Sequence, residues 1–189
     1  MNKRLFIALE IPKPAQKQLA EYTKKLKREF SDLKVGWEKE EKLHINLKFL
    51  GDVNENKISE LIDLIGGLSQ RFSGFNLRVE GTGVFPNKKR GRVLWLGIFD
   101  EGNDLLKINN ELEGKCQKIG FVREKKPFRP HVTIARIRKP FSNSPLVKKH
   151  LKNEYEPVEF SAQTISLIES RLLPTGSVYY PFFREDLSR

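Results

Sequence analysis

The chain carries only three histidines, and two of them head the same short pattern, His44-Ile45-Asn46-Leu47 and His131-Val132-Thr133-Ile134. Each is a histidine, an apolar residue, a small polar residue and a second apolar one. Successive side chains of a β-strand point to opposite faces, so each histidine shares a face with the polar residue two places on. His44 and Asn46 lie on one side of their strand, with Leu43, Ile45 and Leu47 on the other. His131 and Thr133 lie opposite Val132 and Ile134 in the same way. A sheet covered by helices on its apolar side presents both imidazoles on its open side. An unperturbed imidazole titrates near ~6.5 and so holds either protonation state at neutral pH. Two of them across a cleft can serve one phosphorus centre as general base and general acid. One takes a proton from attacking water and the other protonates the departing oxygen. Asn46 and Thr133 can hydrogen-bond the non-bridging oxygens. This chemistry requires neither metal nor cofactor, and it suits a substrate with a tethered, strained leaving group, such as a 2′,3′-cyclic phosphate.

The elements that must position these residues can be read from period and punctuation. Residues 4–10 form a strand apolar on both faces, and Pro12 and Pro14 then open a helix with Ala15, Leu19, Tyr22, Leu26 and Phe30 at helical spacing. An extended stretch begins at Val35-Gly36-Trp37, and the first histidine strand, 43–50, is closed by Gly51-Asp52. Asn54 caps a helix whose stripe is Ile58, Leu61, Ile62, Ile65 and Leu68. Residues 75–84 and 93–99 read as a hairpin around the basic turn Pro86-Asn87-Lys88-Lys89-Arg90-Gly91. A third helix carries Leu105, Ile108, Leu112, Cys116 and Ile119 and stops at Gly120. The second histidine strand, 129–137, is followed by a proline-rich crossover in which Ser144-Pro145 starts a short helix ending near Leu151. Strands at 158–170 and 178–183 are joined by a turn at Pro174-Thr175-Gly176. No linker divides this α+β order, so residues 1–189 read as one domain. Each half offers a long helix and then a histidine strand, a faint duplication that predicts two related lobes facing each other.

Bulk composition narrows the class. At 38% hydrophobic and 31% charged, a chain of 189 residues reads as globular and able to bury a core. No apolar run approaches the roughly 20 residues that span a bilayer, so no membrane partner is expected. The basic start and short apolar run from Met1 to Leu9 meet Glu10 and Pro12 where a secretory signal would continue, which places the protein in the cytoplasm. Cys116 is the single cysteine; it excludes an internal disulfide and a thiolate metal cluster and reads as a buried, inert thiol. With 35 basic against 24 acidic residues, the net charge of +11 favours a polyanionic partner.

With these residues in view, the chain resembles the two-histidine phosphoesterases, and specifically the bacterial and archaeal RNA 2′,3′-cyclic phosphodiesterases, also named 2′-5′ RNA ligases. The resemblance runs nearly end to end: Arg4-Leu5-Phe6-Ile7-Ala8, Leu43 through Gly51, Gly83-Val84-Phe85-Pro86, Arg92 through Gly97, Pro127 through Arg136, and Gly176-Ser177-Val178-Tyr179. It implies a bilobal fold of two pseudo-symmetric lobes of antiparallel sheet, helices on the outer faces and a central cleft. It implies that His44 is the proton donor to the leaving 3′ oxygen and His131 the proton acceptor from water, leaving a 2′-phosphate, with Thr133 and Arg136 holding the phosphate. The reverse reaction joins a 2′,3′-cyclic end to a 5′-hydroxyl end. The implied partner is RNA with a 2′,3′-cyclic phosphate end, tRNA fragments among the candidates, bound by a monomer.

Two features depart from simple expectation. The family has threonine where this chain has Asn46, whose longer amide can still donate to a phosphate oxygen. Strict alternation from His131 puts Arg136 on the wrong face, so its family role requires the strand to end or bulge near Ala135. Lys48 shares parity with His44 and could reach the substrate or stand as an exposed edge lysine. Lys88, Lys89 and Arg90, and Arg129 ahead of His131, are candidate RNA backbone contacts. Trp37 and Phe85, near turns, are the candidate base stackers. His150, among Lys148, Lys149 and Lys152, reads as a solvated surface residue. Two rival functions remain: a phosphodiesterase for small nucleotide or ADP-ribose cyclic phosphates, and a non-catalytic RNA-binding module of the same fold.

Overall fold

The structure, a computed structural model, describes residues 2–139, 144–152, 154–174 and 176–188. Part of the expected crossover (140–143) and Thr175 of the expected turn lie outside the described residues. The chain opens with β1 (Asn2–Glu10), in which Leu5 to Leu9 are all buried. Leu5, Ile7 and Leu9 enter the main core, whereas Phe6 and Ala8 join Ile168 in a second cluster on the opposite face. That two-sided burial is why this strand lacks an alternating pattern. Pro12 and Pro14 then admit α1 (Lys13–Glu29), which turns Ala15, Leu19, Tyr22 and Leu26 inward. After β2 (Val35–Trp37) comes β3 (His44–Asn54), the first histidine strand. The Asn54 side chain accepts from Asn56 N–H and caps a short 3-10 turn that leads into α2 (Ile58–Ser69).

The hairpin is formed by β4 (Phe75–Phe85) and β5 (Val93–Phe99). Next comes α3 (Asp104–Lys118), closed by Gly120 at φ +94, a left-handed position that suits glycine. Then follow β6 (His131–Ile137), the second histidine strand, and α4 (Pro145–His150), whose Ser144 cap accepts from Val147 N–H. The chain ends with β7 (Val158–Ala162), β8 (Thr164–Leu173) and β9 (Gly176–Asp186). Among the described residues no helix is long and apolar enough to cross a membrane.

The strands run β7-β4-β5-β6-β3-β1-β8-β9 in one antiparallel sheet, with β2 paired to β6. The sheet has a seam. Its two halves, β7 to β6 and β3 to β9, meet through the single register pair Ile45↔Val132, and both residues are fully buried. The two lobes are thus halves of one sheet rather than separate sheets, and the histidine strands lie at their junction. Helices cover the face carrying Ile45 and Val132; the other face is the cleft.

Both histidine strands bulge at the last residue of their motif. In β3, Ala8 faces Asn46 but Ile7 faces Lys48, so Leu47 is the extra residue. In β6, Trp95 faces Thr133 but Leu94 faces Ala135, so Ile134 is extra. A bulge inserts one residue and reverses the parity of everything beyond it.

Candidate active site

The two histidines are held in the same way. His44 Nδ1 lies 2.6 Å from the Lys42 carbonyl, and His131 Nδ1 lies 2.7 Å from the Arg129 carbonyl. A carbonyl only accepts, so each Nδ1 carries the proton and donates it. The free Nε2 of each neutral ring is left as a base facing the cleft. Antiparallel continuation from the Ile45↔Val132 pair sets His44 across from Thr133 and Asn46 across from His131. The imidazoles therefore lie on one face, near enough that the His131 charge acts on His44.

Each imidazole also packs against an aromatic pair. The His44 ring lies 4.9 Å from Phe6 and 5.5 Å from Tyr179, which are 5.1 Å from each other. The His131 ring lies 5.1 Å from Phe85 and 6.0 Å from Trp95, themselves 5.2 Å apart. Burial among these rings pushes both pKa values below the ordinary histidine range, partly opposed by the carbonyl each Nδ1 engages. The Arg136 charge lowers both further; His131 adds to the effect at His44, and Arg129 to that at His131. The lowered values favour the neutral ring at both positions, and an anion placed beside them favours the imidazolium form. Two polar atoms on this face, Asn46 Oδ1 and Trp95 Nε1, are buried without a partner among the described residues. One is an acceptor and the other a donor, and neither is matched by a partner within the fold. Gly83 is required behind this wall, because a Cβ there would stand 2.0 Å from the Trp95 ring.

The remaining expected residues divide. Thr133 is half-buried on the cleft face. The bulge at Ile134 turns Arg136 back toward the cleft, supplying the irregularity its role requires. Its guanidinium is exposed, with Nε 3.4 Å from Glu38 Oε1. Phe85 stands at the cleft against His131, and Arg129 lies 6.0 Å over both Phe85 and Trp95. Lys88, Lys89 and Arg90 are exposed on the turn beyond Phe85, whose backbone the Asn87 side chain holds. Lys48 does not share a face with His44: the bulge at Leu47 sends it to the helix side, where Nζ lies 2.7 Å from Glu113 Oε2. Trp37 is likewise no stacker in the cleft. It pairs with Ala135, a core-face residue, and packs against the core.

His150 is fully buried, not solvated. Its Nε2–H points at the carbonyls of Gly83 and Trp95, 3.1 Å from each, and its Nδ1 accepts from Tyr22 OH at 3.0 Å. It thereby braces the backbone from which Trp95 projects onto His131. A signal for this existed: His150 stands three and four residues after Val147 and Leu146, on the buried face of α4. Phe6 and Tyr179, the partners of His44, gave less warning, because they meet only through sheet pairing. Cys116 is buried, as expected, and burial pushes its thiol up to about 11. Among the described residues no group of three or more His, Cys, Asp and Glu side chains could hold a metal ion.

The family model described as LigT like phosphoesterase matches the chain twice, over residues 9–95 and 97–179, so that each match contains one histidine motif. The chain is 35% identical over 177 residues to a protein of Thermotoga maritima named RNA 2′,3′-cyclic phosphodiesterase, covering 93% of this chain and 91% of that one. It is 32% identical over 182 residues to a Methanocaldococcus jannaschii protein of the same name, covering 93% and 96%. A crystal structure of a Thermus thermophilus protein superposes with a TM-score of 0.81 at 27% identity over 97% of each chain.

Proposed function

The chain belongs to the LigT-like phosphoesterase family and is an enzyme of it, and from that premise we propose that it hydrolyses RNA 2′,3′-cyclic phosphate ends to 2′-phosphate ends. Water attacks phosphorus from the His131 side. As the new P–O bond forms, His131 Nε2 takes the water proton; the P–O3′ bond breaks, and the His44 imidazolium gives its proton to O3′. The anionic cyclic phosphate itself favours the charged form of His44, opposing the burial that lowers its pKa. Thr133, Asn46 and Arg136 hold the non-bridging oxygens. No step calls on a metal. Attack by a 5′-hydroxyl in place of water gives a 2′-5′ linkage, so ligation is the same chemistry with a different nucleophile.

The observation that carries this reading is the matched tethering of His44 and His131, each with Nδ1 committed to a carbonyl two residues upstream and Nε2 left for the substrate. A binding module has no need of two free, pKa-lowered imidazoles on one face. The test is a product assay on a short RNA ending in a 2′,3′-cyclic phosphate, with EDTA present and wild type run beside His131→Ala. The expected result is a 2′-phosphate product, formed about 10²–10⁴ times more slowly by the variant. A 3′-phosphate product, loss of activity in EDTA, or equal rates would each overturn the mechanism.

A further inference from the structure

The cleft face continues well beyond the histidines, and one feature on it has no part in the reaction above. Phe49 lies on β3 directly opposite Phe6, whose ring touches His44, so both point to the cleft side of the sheet. Unlike Phe6, Phe49 is 50% exposed. The Arg4 guanidinium is stacked over its ring at 4.7 Å from the centroid. Arg4 has no carboxylate within ion-pair distance among the described residues, although Asp52 is its register partner on β3. Its charge is felt at Tyr179, the aromatic neighbour of His44. An open aromatic ring with an uncommitted guanidinium on it, on the same face as the catalytic pair, is a surface for a flat, electron-rich group attached to an anion.

We propose that Arg4 and Phe49 form a stacking subsite for a nucleobase upstream of the cyclic phosphate end, with Arg4 also facing the adjoining phosphate. Phe49 lies five positions beyond His44 on β3, and its register partner Phe6 is the residue whose ring packs on the imidazole, so the subsite is one side chain removed from His44 and the base belongs to a nucleotide before the terminal one. Two other arginines stack on exposed rings, Arg78 over Phe99 at 4.6 Å and Arg171 over Tyr180 at 4.5 Å, but Arg78 Nε lies 2.7 Å from Glu80 Oε2 and Arg171 Nε 3.0 Å from Glu169 Oε1. Those guanidiniums are committed to carboxylates, whereas Arg4 makes no ion pair among the described residues. The substrate strand therefore runs from the histidines along β3 and β1. The subsite rests on the RNA reading above and would give the enzyme a preference for oligomers over mononucleotides.

The experiment measures kcat/KM for a nucleoside 2′,3′-cyclic phosphate and for a tetranucleotide with the same cyclic end, in wild type, Phe49→Ala and Phe49→Trp. Wild type should favour the tetranucleotide by roughly five- to a hundredfold, the range that one base–aromatic stack gives. Phe49→Ala should bring that ratio close to one, and Phe49→Trp should keep it. Tetranucleotides with a single abasic residue at each upstream position locate the base: at one position wild type should lose its preference, and Phe49→Ala should lose nothing more. A fall common to both substrates would make Phe49 merely structural and overturn the subsite. So would a ratio unchanged in Phe49→Ala, or a wild-type ratio of one. If wild type turned over neither substrate, the cyclic phosphodiesterase reading itself would fail, an outcome separate from these.

Discussion

Replacing Lys48 with methionine tests whether the strand bulge at Leu47 turns a lysine into part of the enzyme's frame. Lys48 Nζ lies 2.7 Å from Glu113 Oε2 and 3.1 Å from the Val122 carbonyl, and the two side chains are only 3% and 7% exposed. Methionine fills nearly the same space, so a cavity is not the main cost. What remains is a buried carboxylate, to which only the Glu124 N–H still donates at 3.1 Å. Removing one partner of a buried ion pair costs about 3–5 kcal/mol, a large part of the roughly 5–15 kcal/mol that holds a domain folded. At a urea slope of about 2.5 kcal/mol per molar, the unfolding midpoint should fall by about 1–2 M. Lys48→Met/Glu113→Leu removes both charges and should recover most of the loss, giving a coupling energy above about 2 kcal/mol in a double-mutant cycle. The catalytic readout follows from the chain path. Val122 and Glu124 anchor the segment that leads to Arg129, whose carbonyl holds His131 Nδ1. A loosened anchor should lower kcat by up to about a hundredfold under conditions where the variant is folded. A cost below about 1 kcal/mol, or additive single effects, would refute the burial argument.

Arg136→Gln removes the positive charge that lowers both histidine pKa values, so the pH profile of kcat/KM should move to higher pH. In the proposed mechanism activity is lost below the pKa of His131, which acts as the neutral base, and above that of His44, which acts as the charged acid, so both limbs shift the same way; a stationary profile would exclude the interaction. Gly83→Ala places a Cβ where the Trp95 indole lies. The indole must rotate away from His131, lowering kcat and changing Trp95 fluorescence in a Trp37→Phe background; an unchanged spectrum would show that the wall can yield without moving the indole. His150 is depressed by burial, its Nε2 facing the Gly83 and Trp95 carbonyls and its Nδ1 the Tyr22 hydroxyl. The unfolded chain therefore binds its proton first. Stability is full above about pH 6.5 and declines below it until the lowered folded value is reached. His150→Gln should shallow that decline in denaturant titrations across the range, while an equal slope would assign the acid sensitivity to His44 and His131.

What the sequence made legible was whatever depends on local period. The stripe Ala15, Leu19, Tyr22 and Leu26 is buried on α1, Asn54 and Ser144 act as caps, and all four residues of each histidine motif face as alternation requires. Parity fails at the residue after the motif, and for one reason. A bulge has no period of its own, and Leu47 and Ile134 are apolar residues that alternation accepts without complaint. The same irregularity misplaced Lys48 and left Arg136 unresolved. Trp37 was missed differently: its neighbour Ala135 lies on a strand nearly a hundred residues away, and nothing near Trp37 announces a core face. The lysine neighbours of His150 suggest a surface position, but Leu146, Val147 and His150 form the buried face of that six-residue helix.

The seam explains why those irregularities fall where they do. Ile45 and Val132 face the helices and are fully buried, so the one pair joining the halves also fixes the backbone beside each histidine. A site assembled on paired strands needs no loop to hold its acid and base apart, and the two Nδ1 tethers remove the remaining rotation. Continued regular pairing beyond the seam would have kept Arg136 on the helix side and Lys48 in the cleft. The two bulges exchange them: the cation useful to a phosphate faces the cleft, and the other goes inward, where Glu113 neutralises it. Two matched strands thus yield an unlike pair of environments from a repeated motif. His44 is walled by Phe6 and Tyr179, and His131 by Phe85 and Trp95 with Arg129 above them. The proposed mechanism, which draws an acid and a base from the same residue type, needs that asymmetry, because identical surroundings would give the two identical proton affinities.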